Sequence, residues 1–265
     1  MGNWKMNKTI AEAHEFATLT KDLIQVAKGN ESLGGKIAAM TFYKLFKKST
    51  NIDIGVAPTF LSLDTVKKTS PELIVSAQNV HFKENGAYTG EISIPMLKEI
   101  GIDWVILGHS ERRGYDGETS EKCNLKIKAL LANEMTPLYC CGESLETFEA
   151  GETKSWIKTQ IEEGFAGLTK EEATKIVVAY EPIWSIGTGK NASSEIAEDI
   201  CKFIRDTLEA LFDKETAEQI RILYGGSVKP NNIREYLSLP DVDGALVGGA
   251  SLKIDSYKEL LTNII

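Results

Sequence analysis

Lys5, His109 and Glu181 are the side chains of this sequence best suited to moving protons at a small anionic substrate. A desolvated carboxylate is a base, and a neutral imidazole can donate a hydrogen bond. An ammonium in the same pocket gives an anion a local positive potential. Each of the three closes a short apolar run, the place where an α/β fold exposes its reactive groups. Glu181 read blandly is an exposed strand-end carboxylate. Pro182-Ile183-Trp184 after it is apolar, which points to a desolvated and therefore stronger base. His109 read blandly is a satisfied polar residue near the core. It stands immediately before Ser110-Glu111-Arg112, a helix start, and a helix N-terminus disfavours imidazolium. Lys5 taken alone is any surface lysine. His14 lies on an amphipathic helix and faces solvent, and His81 orders a loop rather than reacting.

Glycine turns supply the other half of such a site. Gly225-Gly226-Ser227 and Gly248-Gly249 follow the last two apolar runs. Glycine allows close backbone approach and positive φ, so successive N–H groups can point at one anion. A single Gly-Gly pair is more often a tight turn, but two pairs at these positions match the usual phosphate loops of a barrel. Gly187-Thr188-Gly189-Lys190 resembles the tail of a nucleotide P-loop and fails as one. Trp184 stands where that motif needs its first glycine, and Asn191 where it needs Ser or Thr.

The elements that must position these groups alternate regularly. Apolar runs at 1–5, 52–57, 73–78, 103–108, 136–141, 175–181, 220–224 and 242–247 read as strands. Amphipathic stretches at 9–28, 118–133, 153–165, 194–212 and 255–264 read as helices, the first with capping-box spacing at Thr9 and Glu12. Strand–helix alternation implies a parallel sheet, and runs such as Val105-Ile106-Leu107 imply strands buried on both faces. Eight units in 265 residues fit a closed (β/α)8 barrel in one domain spanning 1–265. The rival is a doubly wound open sheet, which needs a glycine-rich turn where this chain has Asn3-Trp4-Lys5. Extra polar and helical material sits around 29–51, without a function to assign.

Composition narrows the classes. A net charge of −8 and an isoelectric point near 5.1 argue against a broad nucleic-acid surface. No stretch is long and apolar enough to span a membrane, and the Met1-Gly2 opening lacks the Ser or Thr of a myristoylation signal. Cys123, Cys140, Cys141 and Cys201 have no metal-site spacing. Free thiols in a buried strand fit a reducing cytoplasm.

Asn3-Trp4-Lys5-Met6-Asn7, Gly108-His109-Ser110-Glu111-Arg112-Arg113, Ala179-Tyr180-Glu181-Pro182-Ile183-Trp184, Tyr224-Gly225-Gly226-Ser227-Val228 and Val247-Gly248-Gly249-Ala250-Ser251-Leu252 occur in order along the whole chain. Together they resemble the triosephosphate isomerase family. The resemblance implies a TIM barrel, no cofactor and no metal. It implies interconversion of dihydroxyacetone phosphate and D-glyceraldehyde 3-phosphate in glycolysis and gluconeogenesis. It makes Glu181 the base, neutral His109 the electrophile and Lys5 the charge-stabilising cation, with Glu111 and Ser110 in support. Asn3, Lys5, Gly187, Ser227, Gly248 and Gly249 would bind substrate, and Ile186 and Leu246 would wall the base. Pro182, Ile183, Trp184, Ser185, Ile186, Gly187, Thr188, Gly189 and Lys190 would form a closing lid. Residues 79–91 resemble a loop that inserts into a neighbouring subunit, which implies a homodimer.

The chain departs from the family pattern in three places. Few residues precede Asn3-Trp4-Lys5, which leaves a start upstream of Met1 open. The 29–51 material is additional. Ser185 and Asn191 replace the more usual Ala and Thr of the lid, which bears on closure more than on chemistry. Two other readings stay open at this point: a phosphate-binding barrel with different sugar-phosphate chemistry, and a non-enzymatic binding protein.

Overall fold

The computed structural model describes residues 1–27, 52–186 and 192–264. Eight strands follow one another in the order β1 (Gly2–Asn3), β2 (Gly55–Ala57), β3 (Ile74–Ala77), β4 (Trp104–Leu107), β5 (Thr136–Cys141), β6 (Val177–Tyr180), β7 (Arg221–Tyr224) and β8 (Gly244–Ala245). Every neighbouring pair is parallel. The ring closes where the chain end of β8 meets β1. Gly2 bridges Val247 in parallel, and the Asn3 N–H donates to the Val247 carbonyl at 2.8 Å. The Val247 N–H returns a bond to the Met1 carbonyl at 2.8 Å. Eight parallel strands with helices outside them make a TIM barrel, and the open-sheet alternative falls.

Strand alternation divides the apolar residues between two layers. Ile106, Leu138, Cys140, Val177, Ala179 and Leu246 fill the barrel interior. Val105, Leu107, Tyr139, Val178 and Tyr180 point outward to pack beneath the helices. The period of two explains the adjacent thiols: Cys140 belongs to the inner layer and Cys141 to the outer. Both are buried and free.

The strands are shorter than the apolar runs suggest, and the causes are local. β1 stops at Asn3 because Lys5 takes a left-handed backbone, φ 51°. β4 stops at Leu107 because Gly108 turns the chain with φ +68°. The long helices sit close to expectation. The first spans Ile10–Ala27, and its capping box is formed: Glu12 accepts the Thr9 N–H at 2.7 Å while Thr9 Oγ1 accepts the Glu12 N–H at 3.3 Å. The second begins at Ser120 rather than 118, because Thr119 is its N-cap. Glu118 instead turns inward to accept from Lys126. Helices of four to seven residues, such as Leu63–Thr69, Ile94–Glu99, Lys170–Ala173 and Lys214–Gln219, had no readable period. The extra material at 29–51 lies outside the described residues. No helix among the described residues is long and apolar enough to cross a membrane.

Candidate active site

Glu181 leaves the barrel wall one residue after β6, fixed by its N–H bond to the Cys141 carbonyl at 2.8 Å. Its side chain is buried, with the residue only 2% exposed. One carboxylate oxygen lies 3.0 Å from His109 Nε2, and the other accepts the Ser110 N–H at 3.0 Å. The exposed-carboxylate reading is therefore wrong for this chain. His109 is also buried and forms the N-cap of the helix Ser110–Asp116.

The hydrogen bonds select the His109 tautomer. Nδ1 accepts the Glu111 N–H at 3.2 Å, which requires a lone pair there. The proton of the neutral ring then sits on Nε2 and donates to Glu181. Burial pulls the His109 pKa down, and the charge and hydrogen bond of Glu181 more than offset it, so the net shift is upward. That shift belongs to the ring while it is paired with Glu181. The backbone donor on Nδ1 opposes a second proton there. The helix start favours Nε2 as the protonated nitrogen of the neutral ring, while Glu181 favours the charged ring.

Lys5 completes the chain of charges. Its ammonium donates to Glu111 Oε1 at 2.7 Å, while Glu111 Oε2 lies 3.7 Å from His109 Nδ1. The Lys5 N–H donates to Asn3 Oδ1 at 3.0 Å, so the Asn3 side chain orders the same turn. Lys5, His109 and Glu181, far apart in sequence, line one cavity of about 780 Å³ at the C-terminal mouth of the barrel. Asn3, Ile186, Leu246, Ser227, Gly248 and Gly249 line it too. A smaller cavity of about 240 Å³ lies at the opposite end, lined by Asp53, Trp104 and Arg221, away from this chemistry.

Positive φ is not what demands glycine in the turns. None of Gly225, Gly226, Gly248 and Gly249 has positive φ. Space decides instead. A Cβ on Gly225 would stand 2.9 Å from Glu181 Cγ, and one on Gly226 would collide with the Tyr224 hydroxyl. One on Gly248 would face Lys5 Cε at 3.5 Å, an ordinary contact. Among the described residues, the backbone N–H groups of Ser227, Gly248 and Gly249 donate to no protein acceptor. Three free donors on one cavity wall form a basin for an anion.

A family model described as triosephosphate isomerase matches residues 1–264. The chain belongs to the triosephosphate isomerase family. It is 47% identical over 262 residues to triosephosphate isomerase of Lactobacillus helveticus, covering 98% of this chain and 95% of that protein. The enzymes of Clostridium botulinum and Streptococcus mutans are each 47% identical over 262 residues, covering 98% of this chain and 96% and 95% of theirs.

The lid segment expected for a triosephosphate isomerase is described only in part. Ile183–Ser185 forms a 3₁₀ turn after Pro182, and Ile186 follows at the cavity edge. Gly187, Thr188, Gly189, Lys190 and Asn191 lie outside the described residues, so the Gly187 phosphate contact does too. On the near side, Trp184 stacks on Phe148 at 4.3 Å and donates from Nε1 to Glu143 Oε1 at 2.8 Å. On the far side, Tyr236 OH donates to the Ala192 carbonyl at 2.7 Å. Sequence reasoning missed Glu143, although a carboxylate just past β5 occupies the same kind of strand-end position as Glu181 past β6. It also missed Gln78, read only as the end of a strand and the start of a loop.

Proposed function

We propose that this isomerase converts dihydroxyacetone phosphate and D-glyceraldehyde 3-phosphate into one another with Glu181 as the base. The observation that carries the reading is the 3.0 Å contact between Glu181 and His109 Nε2 inside a cavity that also holds Lys5. Substrate oxygen takes the Nε2–H of His109 in place of Glu181, which frees the carboxylate to face carbon. Glu181 then removes the proton from the carbon beside the carbonyl. The C–H electron pair becomes the C=C bond of an enediolate, and the carbonyl π pair moves to oxygen. His109 donates to that oxygen and Lys5 offsets its charge, held by Glu111. The hydroxyl proton of the first carbon passes to the former carbonyl oxygen, the first carbon becomes the carbonyl, and Glu181 returns the proton it took to the neighbouring carbon. One carbon is oxidised as its neighbour is reduced, so no redox partner is consumed.

Ser227, Gly248 and Gly249 hold the phosphate through their N–H groups, with Asn3 ordering the Lys5 turn and Ser110 parking the resting base. Likeness to the family gives the segment 182–190 the part of a lid, which would exclude water and strengthen these electrostatics. A glutamate base paired with a neutral imidazole characterises this enzyme class, and the 3.0 Å contact between Glu181 and His109 supports giving those roles to these two residues. A coupled assay with D-glyceraldehyde 3-phosphate against pentose phosphates tests the reading. Turnover of the triose phosphate is expected, and turnover of a pentose phosphate alone would replace it with another barrel chemistry.

Two further parts of the reading concern the surroundings. Met6, Leu61, Tyr88 and Tyr115 are large, exposed apolar residues in loops or short helices that follow β1, β2, β3 and β4, at one end of the barrel. An apolar surface of this kind supports a homodimer through residues 79–91 and their neighbours. Sedimentation showing a monomer at micromolar concentration would remove it. Four buried free thiols support a cytoplasmic location.

A further inference from the structure

Lys5 stands in a backbone conformation that its own Cβ resists. Its φ of 51° is left-handed, where a side chain crowds the following carbonyl. Side-chain amides hold both flanking peptide groups. Asn3 Oδ1 accepts the Lys5 N–H at 3.0 Å, and Gln78 Nε2 donates to the Lys5 carbonyl at 2.9 Å. Gln78 Nε2 donates also to the Ala57 carbonyl at 2.9 Å. With carbonyl oxygens as both partners, the amide orientation is settled, since only the NH2 end can donate. Ala57 is the last residue of β2, and its carbonyl also takes the Trp4 N–H at 3.1 Å. Gln78 itself follows β3 directly. The carbonyl of the strained residue is therefore tied through one amide to two strands of the barrel wall.

We propose that Gln78 is a positioning residue for the isomerisation, fixing the Lys5 peptide so that the ammonium meets the charge on the substrate oxygen. The inference rests on Lys5 being the charge-stabilising cation. Without the amide, the Lys5 peptide relaxes from the left-handed region and carries its side chain away. A displacement of about 1 Å can cost on the order of 10²-fold in rate.

The test is a double-mutant cycle. Gln78→Met keeps the length and removes both donors, and Gln78→Glu keeps the shape and turns an oxygen toward the carbonyls. Each is made with Lys5 present and with Lys5→Ala, and kcat, KM and the denaturation midpoint are measured. With Lys5 present, kcat/KM is expected to fall about 10- to 10²-fold, chiefly through kcat. In the Lys5→Ala background the same change is expected to alter kcat/KM less than about 2-fold, because the group it acts through is gone. The midpoint should move equally in both backgrounds. An equal loss of kcat/KM in both backgrounds, or wild-type kcat in both Gln78 variants, overturns the proposal. Wild-type turnover in Lys5→Ala alone would instead remove the cation assignment and this inference with it.

Discussion

Replacing Glu181 separates the base from the scaffold around it. Its two oxygens sit 3.0 Å from His109 Nε2 and 3.0 Å from the Ser110 N–H. Glu181→Asp withdraws both by one carbon–carbon bond, about 1.5 Å. Those contacts would open to about 4.5 Å, beyond hydrogen bonding. The carboxylate would fall short of the substrate carbon by a similar amount, and a misplacement of about 1 Å costs on the order of 10²-fold. Glu181→Gln keeps the reach but cannot take a proton, and loss of a general base costs about 10²- to 10⁴-fold. Both variants should therefore lose at least roughly 10²-fold in kcat. Gln retains an oxygen for the Ser110 N–H, so its denaturation curve should stay close to that of the parent. The assay is conversion of D-glyceraldehyde 3-phosphate with a coupling enzyme, beside denaturant unfolding of each variant. A folded Glu181→Gln protein turning over within a few-fold of the parent would refute the assignment of the base.

Three other outcomes follow from the same geometry. In the free protein, NMR titration of His109 should give a pKa above the ordinary 6.5, since Glu181 outweighs burial; in Glu181→Gln burial prevails and the value should drop. Gly225→Ala would place a Cβ 2.9 Å from Glu181 Cγ, so kcat should fall by on the order of 10²-fold with KM little changed; unaltered kcat would show that the base has room to spare. Burial, only partly offset by the Trp184 and Tyr180 donors, holds the Glu143 carboxyl above its ordinary 4.5. The folded chain then binds that proton more tightly than the unfolded one, so stability falls as pH rises from the ordinary value through the raised one. Denaturant midpoints of Glu143→Gln should lack that part of the pH slope, and an unchanged slope would show that Glu143 does not cause it.

Much of the barrel was legible because strand burial and helix capping are local in sequence. Val105-Ile106-Leu107 reads as a strand buried on both faces, and Thr9 with Glu12 marks a helix start; both are present in the fold. The positions of Lys5, His109 and Glu181 at strand ends were legible for the same reason. Strand ends were not, because the residues that stop a strand do so through backbone angles. Gly108 can be suspected of ending β4, but nothing in the side chain of Lys5 announces a left-handed turn. Partners brought together by the closed ring were also hidden. Glu143 meets Trp184 across 41 positions, and Gln78 meets the Lys5 carbonyl across 73. No periodicity connects such pairs.

The glycine turns and Lys5 show one conflict from opposite sides. At Gly225 and Gly226 the barrel needs absent side chains, so that Glu181 and Tyr224 can occupy the space a Cβ would fill. Neither glycine has positive φ, and what a side chain lacks there is room. At residue 5 the angle is the unusual feature, and glycine would adopt it without strain. The proposed mechanism needs an ammonium at that place, so glycine cannot serve. The left-handed turn must then be held by groups outside the residue: Asn3 Oδ1 accepts the Lys5 N–H, and Gln78 Nε2 donates to the Lys5 carbonyl. Local strain tolerated at a site of chemistry is held by its surroundings. That is why the cation cannot be understood from its own sequence neighbourhood, and why a change at the end of β3 should be felt in catalysis.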